Sequence, residues 1–341
     1  MAAAEGPEAV RGLAWAHGVL AVQRLGAMLA PLTLLLPDGR QVSPLHVAPW
    51  ADEPGGEALP GILRRLRGEW PCVPFGVTQD MADFPPDWRR PAAPAEPGEM
   101  AHGASSNLEW AWIAAEPGSL ALALDYPADS AVRRVTRIVR PDPVAAAVDL
   151  ELRVEMRRTA RLPLGLHPVL RLPVAPGAAV LEPGRFALGR TFPGRAGTAP
   201  PLFAADATFA DLAAVPAAAG GTIDATRLPF DRPAEELLQL TGIDGGFALA
   251  NRAEGYRVRL SWDGGHFQSV LLWLSNRGRR HPPWNGRHLA LGVEPVCAAF
   301  DLGTAVSAGD NPIAAAGVPT ARLLPAGEVF ATRYRIGAEP L

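Results

Sequence analysis

Proline and glycine are spread along the whole chain and limit the length of any helix that it can form. The 341 residues include 36 prolines and 35 glycines. Proline removes a backbone hydrogen bond from a helix interior and glycine weakens a helix, so few windows of this sequence can carry a long one. The exception is Leu59 to Arg67, which we interpret as a short helix. The chain therefore has to be built mainly from strands and turns.

Alternating apolar and polar side chains indicate several strands. From Leu150 to Met156, Leu, Leu, Val and Met alternate with Glu, Arg and Glu, which is typical of a sheet with one face in water. Tyr256 to Trp262 alternates in the same way, and Val329 to Ile336 closes the series. Ser269 to Ser275 is apolar almost throughout, as expected for a strand buried on both faces. Because no helices alternate with these strands, the pattern predicts an all-β sandwich or barrel.

We expect one domain that spans residues 1–341. A chain of this length is compatible with one large β domain or with two smaller ones. However, the Pro/Ala-rich stretches, such as Pro91 to Pro97 and Ala213 to Gly221, have the length of loops rather than of interdomain linkers. Gly189 to Leu212 has weak patterning and is expected to form a long loop or insertion over one sheet, where binding sites are often found.

Composition excludes several classes of function. Hydrophobic residues make up 48% of the chain, which is enough for a folded core. The net charge of -3 gives no basic surface for nucleic acid. All 32 basic residues are arginine, so mechanisms that need a Schiff-base lysine or a phosphate-loop lysine are excluded.

The cysteines and the amino-terminal region point to an ordinary cytoplasmic protein. Cys72 and Cys297 lie far apart and outside any C-x-x-C pair, so we expect buried, inert thiols rather than a zinc or redox site. The apolar stretch from Leu29 to Leu36 is short and is interrupted by Pro31, which fits neither a signal peptide nor a membrane span. We therefore expect no membrane partner.

Three short segments each place an acid-base residue at the end of a strand-like run. They contain His102 in MAHG, His167 in GLHPVLRLP and Glu294 in LALGVEPVCAAFD. A lone histidine beside Gly or Pro is more often a turn residue bonded to the backbone than a catalyst. A glutamate in an apolar window is more unusual, because burial raises its pKa towards the range of a general base. Glu294 could still be a structural carboxylate paired with an arginine such as Arg287.

Together these segments resemble the aldose 1-epimerase, or galactose mutarotase, family. The resemblance extends over most of the chain and also includes Arg24 to Trp50, Gly165 to Pro173, Val293 to Pro295 and Leu324 to Ile336. It implies a galactose mutarotase-like twisted β-sandwich, also called a supersandwich, that is mostly antiparallel with few short helices. It also implies an isomerase that uses no cofactor or metal and binds a sugar in a cleft on one sheet.

The resemblance further implies a role for each acid-base residue. Glu294 takes the proton from the anomeric hydroxyl, His167 protonates the ring oxygen, and His102 orients and polarises the sugar. The chemistry agrees, because opening a hemiacetal needs a base at O1 and an acid at O5.

Other residues are candidates for sugar contacts. Asp244 in TGIDGGFAL matches the place of a sugar-binding acid in the family, although a structural Asp-Gly-Gly turn explains it equally well. Trp284 in PPWNG is the best candidate for stacking on a pyranose ring. The segment from Trp70 to Gln79 lacks the arginine that family members commonly carry there, and Gln79 or Arg171 could replace it. This loss predicts a less cationic pocket wall.

Two alternatives to an aldose 1-epimerase stay open. A non-catalytic sugar-binding protein can use the same fold, since fold does not determine activity. A hexose-6-phosphate mutarotase is suggested by the cluster Arg277, Arg279 and Arg280, which could bind a phosphate. A glycoside hydrolase fits less well, because it usually needs two opposed carboxylates. The identity of the sugar and the oligomeric state cannot be read from the sequence.

Overall fold

Strands form most of this structure, a computed structural model that describes residues 8–89 and 100–341. The predicted loop Pro91 to Pro97 lies outside the described residues. In chain order the strands are β1 (Val10–Trp15), β2 (Gly18–Gln23), β3 (Leu29–Leu35), β4 (Gln41–Val42), β5 (Pro71–Cys72), β6 (Ala111–Trp112), β7 (Leu120–Asp125), β8 (Val132–Pro141), β9 (Ala147–Met156), β10 (Ala160–Leu162), β11 (Leu164–Leu166), β12 (Val169–Arg171), β13 (Ala179–Pro183), β14 (Leu188–Thr191), β15 (Thr208–Phe209), β16 (Val215–Pro216), β17 (Thr222–Ile223), β18 (Arg227–Leu228), β19 (Ala234–Thr241), β20 (Gly246–Asn251), β21 (Tyr256–Trp262), β22 (Ser269–Asn276), β23 (Leu289–Cys297), β24 (Arg322–Leu324) and β25 (Val329–Pro340).

The helices are short, as the proline and glycine content requires. They are α1 (Gly61–Arg64), α2 (Gly103–Asn107), α3 (Gly303–Ser307) and α4 (Pro312–Ala315), with 3-10 turns at Gly56–Ala58, Pro86–Trp88 and Leu212–Ala214. The predicted helix from Leu59 to Arg67 is reduced to the four residues of α1. The sequence analysis did not predict the other three helices.

Two large sheets organise the chain. The nine-stranded sheet has the order β18-β13-β20-β21-β25-β9-β8-β7-β6, and the eight-stranded sheet has the order β15-β14-β19-β22-β23-β11-β5, with β12 also paired to β23. Within the described chain, every strand pairing of these two sheets is antiparallel. The strands β1 to β4 form a separate antiparallel sheet. The predicted all-β, antiparallel architecture is thereby confirmed.

Individual strand predictions mostly hold. Tyr256–Trp262 is β21 as predicted, and its burial alternates along the strand. Ser269 to Ser275 lies in β22, in which all eight residues are buried. The expectation for Gly189 to Leu212 was partly wrong, since this stretch includes most of β14 and all of β15, which extend one edge of the eight-stranded sheet. That residues 1–341 form a single domain stays a prediction.

The eight-stranded sheet is packed on both faces, and this decides where a site can form. One apolar cluster joins the two large sheets and includes Leu150 of β9 and Leu272 of β22. A second cluster lies on the opposite face of the eight-stranded sheet and includes Leu271 and Trp273 of the same strand. Successive side chains of a strand point to opposite faces. The strand therefore supplies the intersheet core with one set of residues and the outer cluster with the other.

Both cysteines, Cys72 and Cys297, are buried free thiols, as the sequence predicted. In the part of the chain that the structure describes, no helix is long and apolar enough to cross a membrane.

Candidate active site

A cavity of about 340 Å³ lies on the outer face of the eight-stranded sheet, beside the second apolar cluster. Five residues singled out in the sequence line it: His102, His167, Arg279, Trp284 and Glu294. They come from segments far apart in the chain, so their meeting in one cavity is a result of the tertiary fold.

Larger but shallower grooves of about 600 Å³ and 590 Å³ lie along the nine-stranded sheet. Their charged side chains are paired with one another, as in the contacts of Arg259 with Glu339 and of Arg335 with Asp149. Charges that already satisfy each other offer little to a ligand. We therefore place the candidate site in the smaller cavity.

Glu294 is buried in the middle of β23. Gly292 precedes it by two residues and points to the same face, where a Cβ atom would collide with Glu294 Oε1. Burial raises the pKa of Glu294 well above its usual range, and the nearby charge of Asp301 adds to this, while Arg279 opposes it. A carboxyl with a raised pKa binds a proton more strongly, which suits it to act as a general base.

His167 lies between β11 and β12, both of which pair with β23. Its backbone N–H donates to the carbonyl of Trp70 at 2.9 Å, and its ring stacks on the Trp70 ring with centroids 4.1 Å apart. With the ring held in this position, Nε2 of His167 lies 3.5 Å from Oε1 of Glu294. Burial lowers the pKa of His167 well below its usual value, with a smaller effect from His102.

His102 lies at the turn that begins α2 and has a left-handed backbone with φ of 57°. Gly103 follows with φ of 79°, and a Cβ there would collide with the carbonyl of Val73, so only glycine fits. The His102 ring lies edge-on to the His167 ring with centroids 5.2 Å apart. Burial, aided by the charge of Arg279, lowers the pKa of His102 to about 4, which keeps its ring neutral at pH 7.

Arg279 also lines the cavity, whereas the sequence analysis named it only as a possible phosphate ligand. Its guanidinium lies over the rings of Trp284 and Trp273, 4.5 and 5.3 Å from their centroids. Its Nε contacts Oε1 of the buried Glu235 at 2.9 Å. The segment from Trp70 to Gln79 contributes no arginine to the cavity, so a wall there that is less cationic than in family members stays a prediction. A guanidinium is present, but it comes from the segment after β22 rather than from Trp70 to Gln79.

Asp301 is the second carboxylate at the cavity and was also missed. It closes the apolar window that contains Glu294, so a second acid seven residues further on was the available signal. Gln79, a predicted sugar contact, instead donates from Nε2 to Oδ1 of Asp301 at 3.3 Å. Gln79 is therefore not among the described residues that line the cavity, but it hydrogen-bonds to Asp301, which does line it.

Two predicted sugar contacts lie outside the cavity. Asp244 is in the turn between β19 and β20, where its Oδ2 accepts from the backbone N–H of Arg185 at 3.3 Å. Arg171 points away and donates to both carboxylate oxygens of Glu254. We therefore leave both residues out of the site. The pairing of Glu294 with Arg287 is likewise not found, because Arg287 donates to Glu53 at 2.6 and 3.0 Å.

The cavity offers two carboxyl groups, neutral imidazoles and a guanidinium beside aromatic rings. In residues 8–89 and 100–341, no group of three or more His, Cys, Asp or Glu side chains is arranged to hold a metal ion. The facing Glu294 and His167 can exchange protons with a bound ligand, and Trp284 can cover an apolar ring face.

Comparison with solved structures identifies the fold. A candidate aldose 1-epimerase from Escherichia coli K12 superposes with a TM-score of 0.64 at 15% identity, covering 97% of this chain and 99% of that one. An aldose epimerase homologue from C. elegans gives 0.62 at 12% identity, with 97% and 99% covered. A galactose mutarotase-like protein from Lactobacillus casei gives 0.57 at 13% identity, with 97% and 100% covered.

No protein-family model matches the sequence, and no curated protein matches it either. The structural likeness therefore carries the comparison. The chain has the galactose mutarotase-like fold, and the resemblance predicted from its sequence is confirmed at that level.

Proposed function

We propose that this protein is an aldose 1-epimerase, an isomerase that interconverts the α and β anomers of a free aldose. The observation that carries the proposal is the pair formed by Glu294 and His167, with Oε1 and Nε2 3.5 Å apart in a cavity of sugar size. The solved structures of the same fold include a candidate aldose 1-epimerase and an aldose epimerase homologue, which supports this choice of reaction.

The Glu294–His167 pair works with one shared proton. In the empty cavity burial disfavours both charged groups, so the neutral acid and neutral imidazole are the stable form. Sugar hydroxyls that donate to the carboxylate, together with Arg279, favour the form with Glu294 ionised and His167 protonated. That form has a base and an acid ready on the two sides of a hemiacetal.

Ring opening then moves one proton in each direction. Glu294 takes the proton from the O1 hydroxyl, the C1–O5 bond breaks as C1=O1 forms, and His167 gives its proton to O5. Rotation about C1–C2 presents the other face of the carbonyl. O5 attacks that face, returns its proton to His167, and O1 recovers its proton from Glu294. The pair ends in its starting state.

The remaining residues of the cavity orient the sugar. His102, neutral at pH 7, accepts the backbone N–H of Gly76 at Nδ1, so its Nε2–H can donate a hydrogen bond to the carbonyl oxygen as it forms. Arg279 presents its N–H groups to sugar oxygens, and its guanidinium is held in place by Glu235 and the two tryptophan rings. Trp284 covers the apolar face of the pyranose.

The phosphorylated-sugar alternative has no specific support here. Of the cluster Arg277, Arg279 and Arg280, Arg279 alone is among the described residues that line the cavity, and its charge is paired with the buried Glu235. A hexose 6-phosphate belongs in the substrate panel as the comparison that decides this point.

Replacing Glu294 by glutamine tests the proposed function. Glu294→Gln keeps size and hydrogen bonding but removes proton acceptance, so anomer exchange should fall by about a hundredfold or more while sugar binding persists. Exchange is measured by NMR on a panel of aldoses, and affinity by NMR titration. Exchange as fast as in the wild type would show that Glu294 is not the base, whereas a wild type that binds sugar without exchange would move the protein to the sugar-binding class.

His167→Asn provides the matched test of the acid. Because both residues serve the same proton-transfer step, the loss in the double variant should be no larger than in the more damaged single variant. Losses that multiply would show that the two side chains act in separate steps.

A further inference from the structure

Asp301 occupies a position that the proposed mechanism does not use. It lines the same cavity as Glu294 and His167. Its Oδ1 accepts a hydrogen bond from Nε2 of Gln79 at 3.3 Å. A carboxylate has about four lone-pair sites on its two oxygens, so Asp301 at the cavity wall can accept from a ligand hydroxyl as well as from Gln79.

The backbone before Asp301 is held in an unusual conformation. Phe300 has φ of 47°, a left-handed value that a bulky side chain rarely adopts. Gln239 holds this turn, since its Nε2 donates to the carbonyl of Ala298 at 2.8 Å and its Oε1 accepts from the N–H of Phe300 at 2.6 Å. The carbonyl of Asp301 accepts from Val77 at 2.8 Å. Such strain persists only where surrounding contacts enforce it, and it is concentrated at functional sites.

The charges around Asp301 favour a neutral ligand with hydroxyl donors. Burial raises the pKa of Asp301 to about 6, against the opposing effects of Arg279 and Gln79, so the group is ionised at pH 7. Asp301 carries this negative charge at the cavity wall, while the positive charge of Arg279 is paired with Glu235. The cavity therefore repels an anionic ligand and attracts hydroxyl groups that donate.

We propose that Asp301 is a sugar-contacting residue whose carboxylate accepts a hydrogen bond from one hydroxyl of the aldose, with Gln79 as its positioning residue. This inference rests on the proposed function for the identity of the ligand. It adds to that function a residue that helps to select the sugar, in the role that the sequence analysis expected of Asp244.

Affinity measurements on Asp301 variants test the inference. The probes are D-galactose, D-glucose and their 2-, 3-, 4- and 6-deoxy analogues, followed by NMR titration. Asp301→Ala should weaken binding of the preferred sugar by about ten- to a hundredfold, the usual effect of losing a hydrogen bond to a charged group. Gln79→Ala should weaken it less. One deoxy analogue should bind both wild type and Asp301→Ala equally, which identifies the hydroxyl.

Asp310→Asn is the matched control, since Asp310 is exposed and nearby in sequence. Asp301→Asn keeps the side-chain shape and carries the test if the alanine variant fails to fold, as judged by thermal unfolding. Wild-type affinity in both Asp301 variants overturns the inference.

The two proposals fail in different ways. A wild type that binds an aldose without anomer exchange refutes the epimerase, and the variant affinities still decide the role of Asp301. A wild type that binds no sugar of the panel overturns both.

Discussion

The glycine at position 292 shows how a single missing side chain shapes this site. It lies in β23 two residues before Glu294 and on the same face, beside Trp273 of the neighbouring strand. A Cβ there would collide with Oε1 of Glu294 and lie 2.9 Å from the Cβ of Trp273. The absence of a side chain at position 292 therefore leaves room for the Glu294 carboxyl.

We predict that Gly292→Ala lowers anomer exchange at least tenfold and leaves the fold intact. The added methyl group displaces the Glu294 carboxyl, and small displacements of a reacting group have large effects on rate. Crowding should also cost about 1–3 kcal/mol of stability. Gly246→Ala in β20 is the control, because a Cβ there meets no atom within 4 Å. Equal activity in the two variants would contradict the argument.

The pKa shifts predict the pH dependence of the reaction. In the proposed mechanism, activity requires one proton on the Glu294–His167 pair, which titrates as a unit. The pKa for adding a second proton to the pair lies below 6.5, the ordinary pKa of histidine, because burial lowers the pKa of His167. The pKa for losing the single proton lies well above 4.5, the ordinary pKa of glutamate, because burial raises the pKa of Glu294. The profile of kcat/KM should therefore be bell-shaped, with its acid limb below pH 6.5.

Asp301→Asn should move the alkaline limb of this profile to lower pH. The negative charge of Asp301 helps to raise the pKa of Glu294, so its removal lowers that pKa. The measurement is kcat/KM against pH, with the spontaneous rate subtracted at each point. An alkaline limb that stays in place would show that the two carboxyl groups do not interact.

At the scale of elements, a buried ion pair links the two large sheets. Glu69, just before β5, contacts Arg137 of β8, and both side chains are fully buried. The hydroxyl of Tyr334 in β25 donates to the other carboxylate oxygen of Glu69 at 2.5 Å. Glu69 directly precedes Trp70, whose ring stacks on His167. The pair therefore fixes the position of the segment whose Trp70 ring supports His167.

We predict that Arg137→Met destabilises the protein by about 3–5 kcal/mol, because it leaves the Glu69 charge buried without its partner. Adding Glu69→Leu should restore much of the loss, since an apolar pair has no charge to bury. The measurement is urea unfolding. Arg259→Met breaks an exposed pair with Glu339 and should cost less than about 1 kcal/mol. Equal losses in both single variants would contradict this account.

At the scale of the whole molecule, the site exists because the eight-stranded sheet carries apolar clusters on both faces. The cluster between the sheets stabilises the sandwich, and the cluster on the outer face surrounds the cavity. The outer cluster excludes water from Glu294 and His167, and this desolvation is the main cause of both pKa shifts. The stability of the sandwich and the shifted pKa values of Glu294 and His167 thus depend on the same sheet.

The sequence by itself determined the all-β class, several strands and the main acid-base candidates. These depend on local properties: proline and glycine limit helices, a period of two defines a strand with two faces, and a glutamate in an apolar window is unusual. Tertiary structure alone decided that Arg279 and Asp301 reach the cavity whereas Arg171 and Asp244 do not. Which of these side chains reach the cavity depends on the register between strands and on turns that distant residues such as Gln239 hold in place. Register and long-range contacts of this kind produce no periodic pattern in the sequence, so they could not be predicted from it.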